Sequence, residues 1–203
     1  MKENPYGKIV TRLSQLGMAI IIASGMWIGT AAAQPPSWCK PDWTAAAITG
    51  TPISLADRGK TENVVGPYGT ALRHTAEEMG TAIFAFPVTF SPETGNEKGI
   101  SCLTLRARDT IREGFVQAIL YRQQRTAEYV QPEVVAIVTT DETSANPDGI
   151  QMPGASFAPV DLSEGGVEYT YFMEVSLFRQ EGAVGILEAL DVGVGDQVNG
   201  SPR

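Results

Sequence analysis

The side chains in this 203-residue sequence that could drive a reaction are one histidine, two cysteines and 23 carboxylates. A nucleophile–histidine–carboxylate system can draw only on His74, which stands in the polar stretch Arg73-His74-Thr75. No Gly-x-Ser-x-Gly turn exists to expose a serine. A lone surface histidine is the expectation. One histidine and two distant cysteines cannot make a zinc ligand set. Gly193-Val194-Gly195 leads into no helix pattern, so it lacks the context of a phosphate-binding loop. The sequence therefore assigns no catalytic residue and no cofactor.

Paired carboxylates are what remain. Retaining glycosidases hold two acidic side chains roughly 5 Å apart, and Glu174 and Glu188 lie in two segments that read as arms of one hairpin. With the two-residue turn Glu181-Gly182, Glu174 faces Ala189, Leu177 faces Ile186 and Met173 faces Leu190. That register joins apolar to apolar and sends the two carboxylates to opposite faces, so no catalytic pair is expected. Asp141, Glu142 and Asp148 supply oxygen ligands of the kind Ca2+ takes, but without EF-hand spacing and with Pro147 restricting the loop. A solvated acidic loop is the reading there, with Ca2+ the weaker alternative. Tyr169, Tyr171 and Phe172 suit a sugar-stacking platform, although rings at strand spacing more often serve cross-strand packing. Asn199-Gly200-Ser201 has the pattern of a glycosylation acceptor but is followed by Pro202.

Cys39 and Cys102 are expected to form a disulfide, with two buried thiols as the alternative. The expectation rests on export. Lys2, Lys8 and Arg12 precede an apolar run over residues 16–28, and Ala31-Ala32-Ala33 supplies the small residues a signal peptidase admits. Residues 1–33 thus read as a cleavable signal, with Gln34 the first mature residue. The apolar run is shorter than the roughly 20 residues a spanning helix needs.

Those 33 residues hold three of the 15 basic and one of the 23 acidic side chains, so residues 34–203 carry a net charge of −10. Such acidity excludes phosphate backbones and anionic lipid, leaving no nucleic-acid partner and no membrane after cleavage. It also keeps an exported domain soluble.

The elements that must position these groups read as strands. Residues 34–45 are rich in Pro and Trp and form an extended arm. Residues 44–70 are weakly patterned, with one or two short strands near 47–55, and residues 70–79 carry a trace of helical spacing. Phe84, Phe86 and Val88 alternate, and Pro87 marks an edge or a bulge. In residues 100–109, Leu103, Leu105 and Ala107 share one face, and Cys102 takes the other, where a covering arm reaches it. Residues 114–122 fit a strand better than the helix offered by Thr110 and Glu113 at capping-box spacing. Residues 134–140, 154–160, 169–179 and 183–192 complete the set, the last two as a terminal hairpin, and residues 193–203 read as a disordered tail.

The expectation is an all-β chain in which residues 46–192 form an antiparallel two-sheet sandwich, jelly-roll-like or immunoglobulin-like. The functional expectation is an exported, non-catalytic binding or structural protein of the periplasm or extracellular space, with an unknown protein or glycan partner. The alternative is a hydrolase of extracytoplasmic polymers using paired carboxylates. No motif names a ligand.

Overall fold

A computed structural model describes residues 38–75, 79–89, 100–126, 130–140, 149–160, 163–164 and 167–198. The expected signal segment, the Ca2+-type loop carrying Asp141, Glu142 and Asp148, and the 199–201 acceptor pattern lie outside the described residues.

Among the described residues, thirteen strands form two antiparallel sheets. Sheet A contains β1 (Cys39–Ala46), β3 (Thr61–Gly66), β4 (Gly69–His74), β6 (Ile100–Asp109), β9 (Ile150–Gln151), β10 (Gly154–Val160) and β13 (Leu187–Gln197). Sheet B contains β2 (Thr51–Pro52), β5 (Gly80–Val88), β7 (Gly114–Gln124), β8 (Glu133–Thr139), β11 (Ser163–Glu164) and β12 (Val167–Arg179). The spatial orders β4-β13-β6-β10 and β5-β12-β7-β8 are those of a jelly roll. Among those eight strands the chain crosses between sheets at every step but one, β7 to β8, which stays in sheet B. Of the two sandwich topologies expected, the jelly roll is the one built.

Period-two alternation makes the core. Leu103, Leu105 and Ala107 of β6 face Val116, Ala118 and Leu120 of β7, and Met173, Val175 and Leu177 of β12 lie fully buried among them. Each of these leucine, valine and methionine side chains contributes about 1.5–3 kcal/mol through burial. Pro87 lies beyond Ala85, the last β5 residue that β2 pairs, so it stands where that strand is an edge. Gly114 decides between helix and strand for β7. A Cβ there would strike the Ile111 side chain and come within 2.6 Å of the Phe178 carbonyl oxygen. This close approach of β7 to β12 is what the glycine permits.

Several expectations need correction. Within residues 70–79, which carry a trace of helical spacing, the stretch to His74 belongs to strand β4, because Leu72 and His74 alternate inward beneath the sheet. A short helix, α1 (Leu55–Gly59), follows β2. Ser54 and Asp57 cap it reciprocally: the Ser54 hydroxyl accepts from the Asp57 N–H, and the Asp57 carboxylate accepts from the Ser54 N–H. The terminal hairpin does not form. β12 pairs with β5 and β7 in sheet B, whereas β13 pairs with β6, β4 and β1 in sheet A. Arg179 holds the crossing, its guanidinium donating to the carbonyls of Ala183 and Gly185 at 2.8 and 2.9 Å. The tail is not disordered from residue 193, since β13 runs to Gln197 and pairs with β1 over that stretch.

The disulfide joins Cys39 to Cys102, Cα atoms 5.8 Å apart. Cys102 faces away from the core row, as its parity required, yet it is fully buried because the arm covers it. Gly195, beside Cys102 on β13, makes the cover possible. A Cβ at Gly195 would meet the Lys40 carbonyl oxygen and sit 2.6 Å from the Asp42 nitrogen and 2.7 Å from the Pro41 Cα.

Candidate functional site

Strand alternation leaves each sheet an outward row, and the two rows have different chemistry. On sheet A the row is charged and internally neutralised. Arg73 donates to Glu188 at 2.8 Å and lies 3.6 Å from Glu62. Arg106 and Asp191 pair at 2.6 Å, and Arg108 sits over the Tyr68 ring at 5.8 Å. The upper part of this face is occupied by β1 and its disulfide.

On sheet B the outward row is aromatic and apolar. Tyr121 of β7 stacks on Phe172 of β12, centroids 5.0 Å apart and planes 14° from parallel. Phe115 stacks on Phe178 at 5.2 Å and 28°. The two pairs stand about 20 Å apart along β12, given six residues of strand rise. Between them the register sets Ile119 beside Glu174 and Ala85, and Gln117 beside Ser176 and Ile83. Val134 and Ile137 of β8, 48% and 46% exposed, carry the apolar surface to the sheet edge. An outward row of this composition is a candidate interaction surface.

Glu174 lies at its centre. Burial pushes its carboxyl above the usual range, against the pull of a hydrogen bond from the Tyr121 hydroxyl. Tyr121 is pushed up to about 12, by burial first and then by the Glu174 charge and hydrogen bond. No cation among the described residues counters the Glu174 charge.

The site differs from the sequence expectations. Tyr169 and Tyr171 cannot share a platform with Phe172, because Tyr171 points inward and is buried, Tyr169 joins the same inner row, and Phe172 points outward. Arg122 covers the Tyr169 ring at 5.0 Å. Glu174 and Glu188 do lie on opposite faces, but as outward residues of different sheets, not through a hairpin register. The stacked pairs join positions far apart in sequence, and no single strand displays them.

A second cluster of titratable groups lies inside, at one end of the sandwich. His74 is not at the surface: it is 1% exposed. Its Nδ1 lies 3.0 Å from the Thr75 carbonyl oxygen and its Nε2 3.2 Å from that of Gly80, so it ties β4 to β5. Burial, its largest influence, lowers its pKa. The polar neighbours Arg73 and Thr75 suggested exposure, but strand alternation turns residue 74 inward with Leu72.

Asp109, 2% exposed, accepts hydrogen bonds from the Ile111 N–H and the Thr140 hydroxyl, and Thr140 in turn accepts from the Val116 N–H. Burial pushes Asp109 up to about 6, against the opposing pull of these bonds and of Arg179. An acid whose folded pKa exceeds its unfolded one is most stabilising when protonated. Its contribution is therefore full below about pH 4 and is lost as pH rises to about 6, a change of about 3 kcal/mol. Urea titrations at pH 3 and pH 7 should show the wild type losing about that much relative to Asp109→Asn. A constant difference between the two proteins would mean that folding does not shift the Asp109 pKa.

Among the described residues no group of three or more His, Cys, Asp or Glu is placed to hold a metal ion. Among them, too, no helix is long and apolar enough to cross a membrane.

The fold and this face define the class: a disulfide-braced jelly-roll sandwich with one charge-paired outer face and one aromatic outer face. No protein-family model matches the sequence, and no curated protein matches it. Among solved structures the chain is similar to a carbohydrate-binding module, TmCBM61, in complex with beta-1,4-galactotriose. That similarity has 12% identity and a TM-score of 0.44, over 75% of this chain and 94% of the other. It is also similar to Eiger TNF from S. frugiperda, at 12% identity and a TM-score of 0.28, over 66% of this chain and 95% of that one.

Proposed function

We propose that this protein is an exported, non-catalytic binding module whose ligand face is the outward surface of sheet B. The observation that carries the reading is the contrast between the two outer faces. Sheet A spends its outward charges on one another and its upper surface on the arm. Sheet B turns two stacked aromatic pairs, flanking aliphatic residues and one half-buried carboxylate outward. The disulfide supports an oxidising compartment, in line with the signal-like pattern of residues 1–33.

The test is an amide NMR titration of the intact, oxidised chain with apolar peptides and, separately, with neutral linear oligosaccharides. Shifts should fall on the outward positions of β7 and β12, around Ile119, Phe172 and Ser176. Shifts confined to sheet A, or none with any probe, would overturn the assignment.

A further inference from the structure

Resting on that reading of the face, we infer that Glu174 is the receiving position for a cation, namely the lysine or arginine side chain of an apolar polypeptide segment laid across sheet B. Four observations lead there. Glu174 is the outward charged group at the centre of the face, with Ile119 and Ala85 beside it and the Tyr121–Phe172 stack two residues away. Its hydrogen-bond partner, Tyr121, is neutral, and no described cation offsets its charge. On sheet A, by contrast, Glu188 and Asp191 each have an arginine. A carboxylate lowered into an apolar surface has lost hydration that only a donor can restore, and a charged donor restores most.

The surroundings suit a side chain that is cationic at its tip and apolar along its stem. The stem covers Ile119 and Ala85, and the charge reaches both the carboxylate and the negative faces of nearby rings. Anionic ligands meet repulsion. A neutral sugar could hydrogen-bond to Glu174 but would leave the charge uncompensated. A second copy docked about a two-fold axis through this face would set Glu174 against Glu174, which is unfavourable above its pKa.

The probes are the acetylated, amidated tripeptide Leu-Lys-Leu and its uncharged counterpart with norleucine in place of lysine. Each is titrated into the intact, oxidised protein and followed by amide NMR. Leu-Lys-Leu should shift Ile119, Glu174 and Ser176 and bind about tenfold more tightly than the norleucine peptide. Glu174→Gln should erase that tenfold preference and leave norleucine-peptide binding within about twofold. Tyr121→Phe, which removes the competing donor, should keep the preference or increase it.

Equal binding of the two peptides would overturn the cation assignment while leaving the face a binding surface. So would binding of neutral oligosaccharide alone, or probe-independent shifts that grow with protein concentration. No response of the face to any of these ligands would defeat both the inference and the reading beneath it.

Discussion

Replacing Cys39 by Ser lowers the unfolding free energy by about 4 kcal/mol, the loop-closure value for a bridge of this span. The bond closes a sequence separation of 63 residues and ties β1 over β13 to β6. Without it the arm is held by its pairing to β13 and by Trp43, which packs against the core. The arm therefore frays first. In urea, tryptophan emission of the Ser variant should shift to the red before the global transition, whereas the oxidised wild type shows one transition. Coincident transitions at an unchanged midpoint would show that the arm needs no bridge.

Gly195→Ala costs nearly as much, about 3 kcal/mol, at the upper end for overpacking. The added methyl meets the backbone of Lys40, Pro41 and Asp42, and backbone atoms cannot rotate away as a side chain would. The arm must lift, and lifting pulls on the disulfide. The two sites are consequently coupled: in a Cys39→Ser background the same substitution should cost about 1 kcal/mol less. Strict additivity in that double-mutant cycle would mean that the arm does not press on β13 at Gly195.

The glycines of β13 show where the sequence was hard to read. Gly193-Val194-Gly195 has the composition of a flexible tail, yet its glycines are spacing devices beneath a crossing strand. Their role exists only once the arm is in place. The same strand hides its alternation. A bulge between Ala189 and Asp191 lets Leu187 and Ala189 face inward on odd numbers and Val192 and Val194 on even ones. Glu181-Gly182 has hairpin chemistry, and Gly182 does adopt φ 78°. A turn fixes a local reversal, however, and not which sheet receives the next strand.

What period two can report, it reported well. Strands β5, β6, β7, β8 and β12 follow their alternation, and the parity of Cys102 placed its side chain on the face the arm covers. The proposed binding face was legible only in part. Phe172 drew notice, but as a companion of Tyr169 and Tyr171, which its own strand turns inward. Its true neighbour is Tyr121, some fifty residues earlier, and only the antiparallel register of β7 with β12 brings them together. Glu174 drew notice as half of a catalytic pair, whereas its importance comes from an apolar neighbourhood assembled from three strands.

The most direct test of the central claim is hydroxyl-radical footprinting of the protein in an unfractionated native extract and again after purification. If the outward face of sheet B is the binding face, oxidation of Phe115, Tyr121, Phe172 and Phe178 is suppressed in the extract and rises once the partner is removed. Tyr68, beside Arg108 near sheet A, should oxidise at the same rate in both. Equal oxidation of the four rings in the two samples, or protection that falls on Tyr68 instead, would contradict the account.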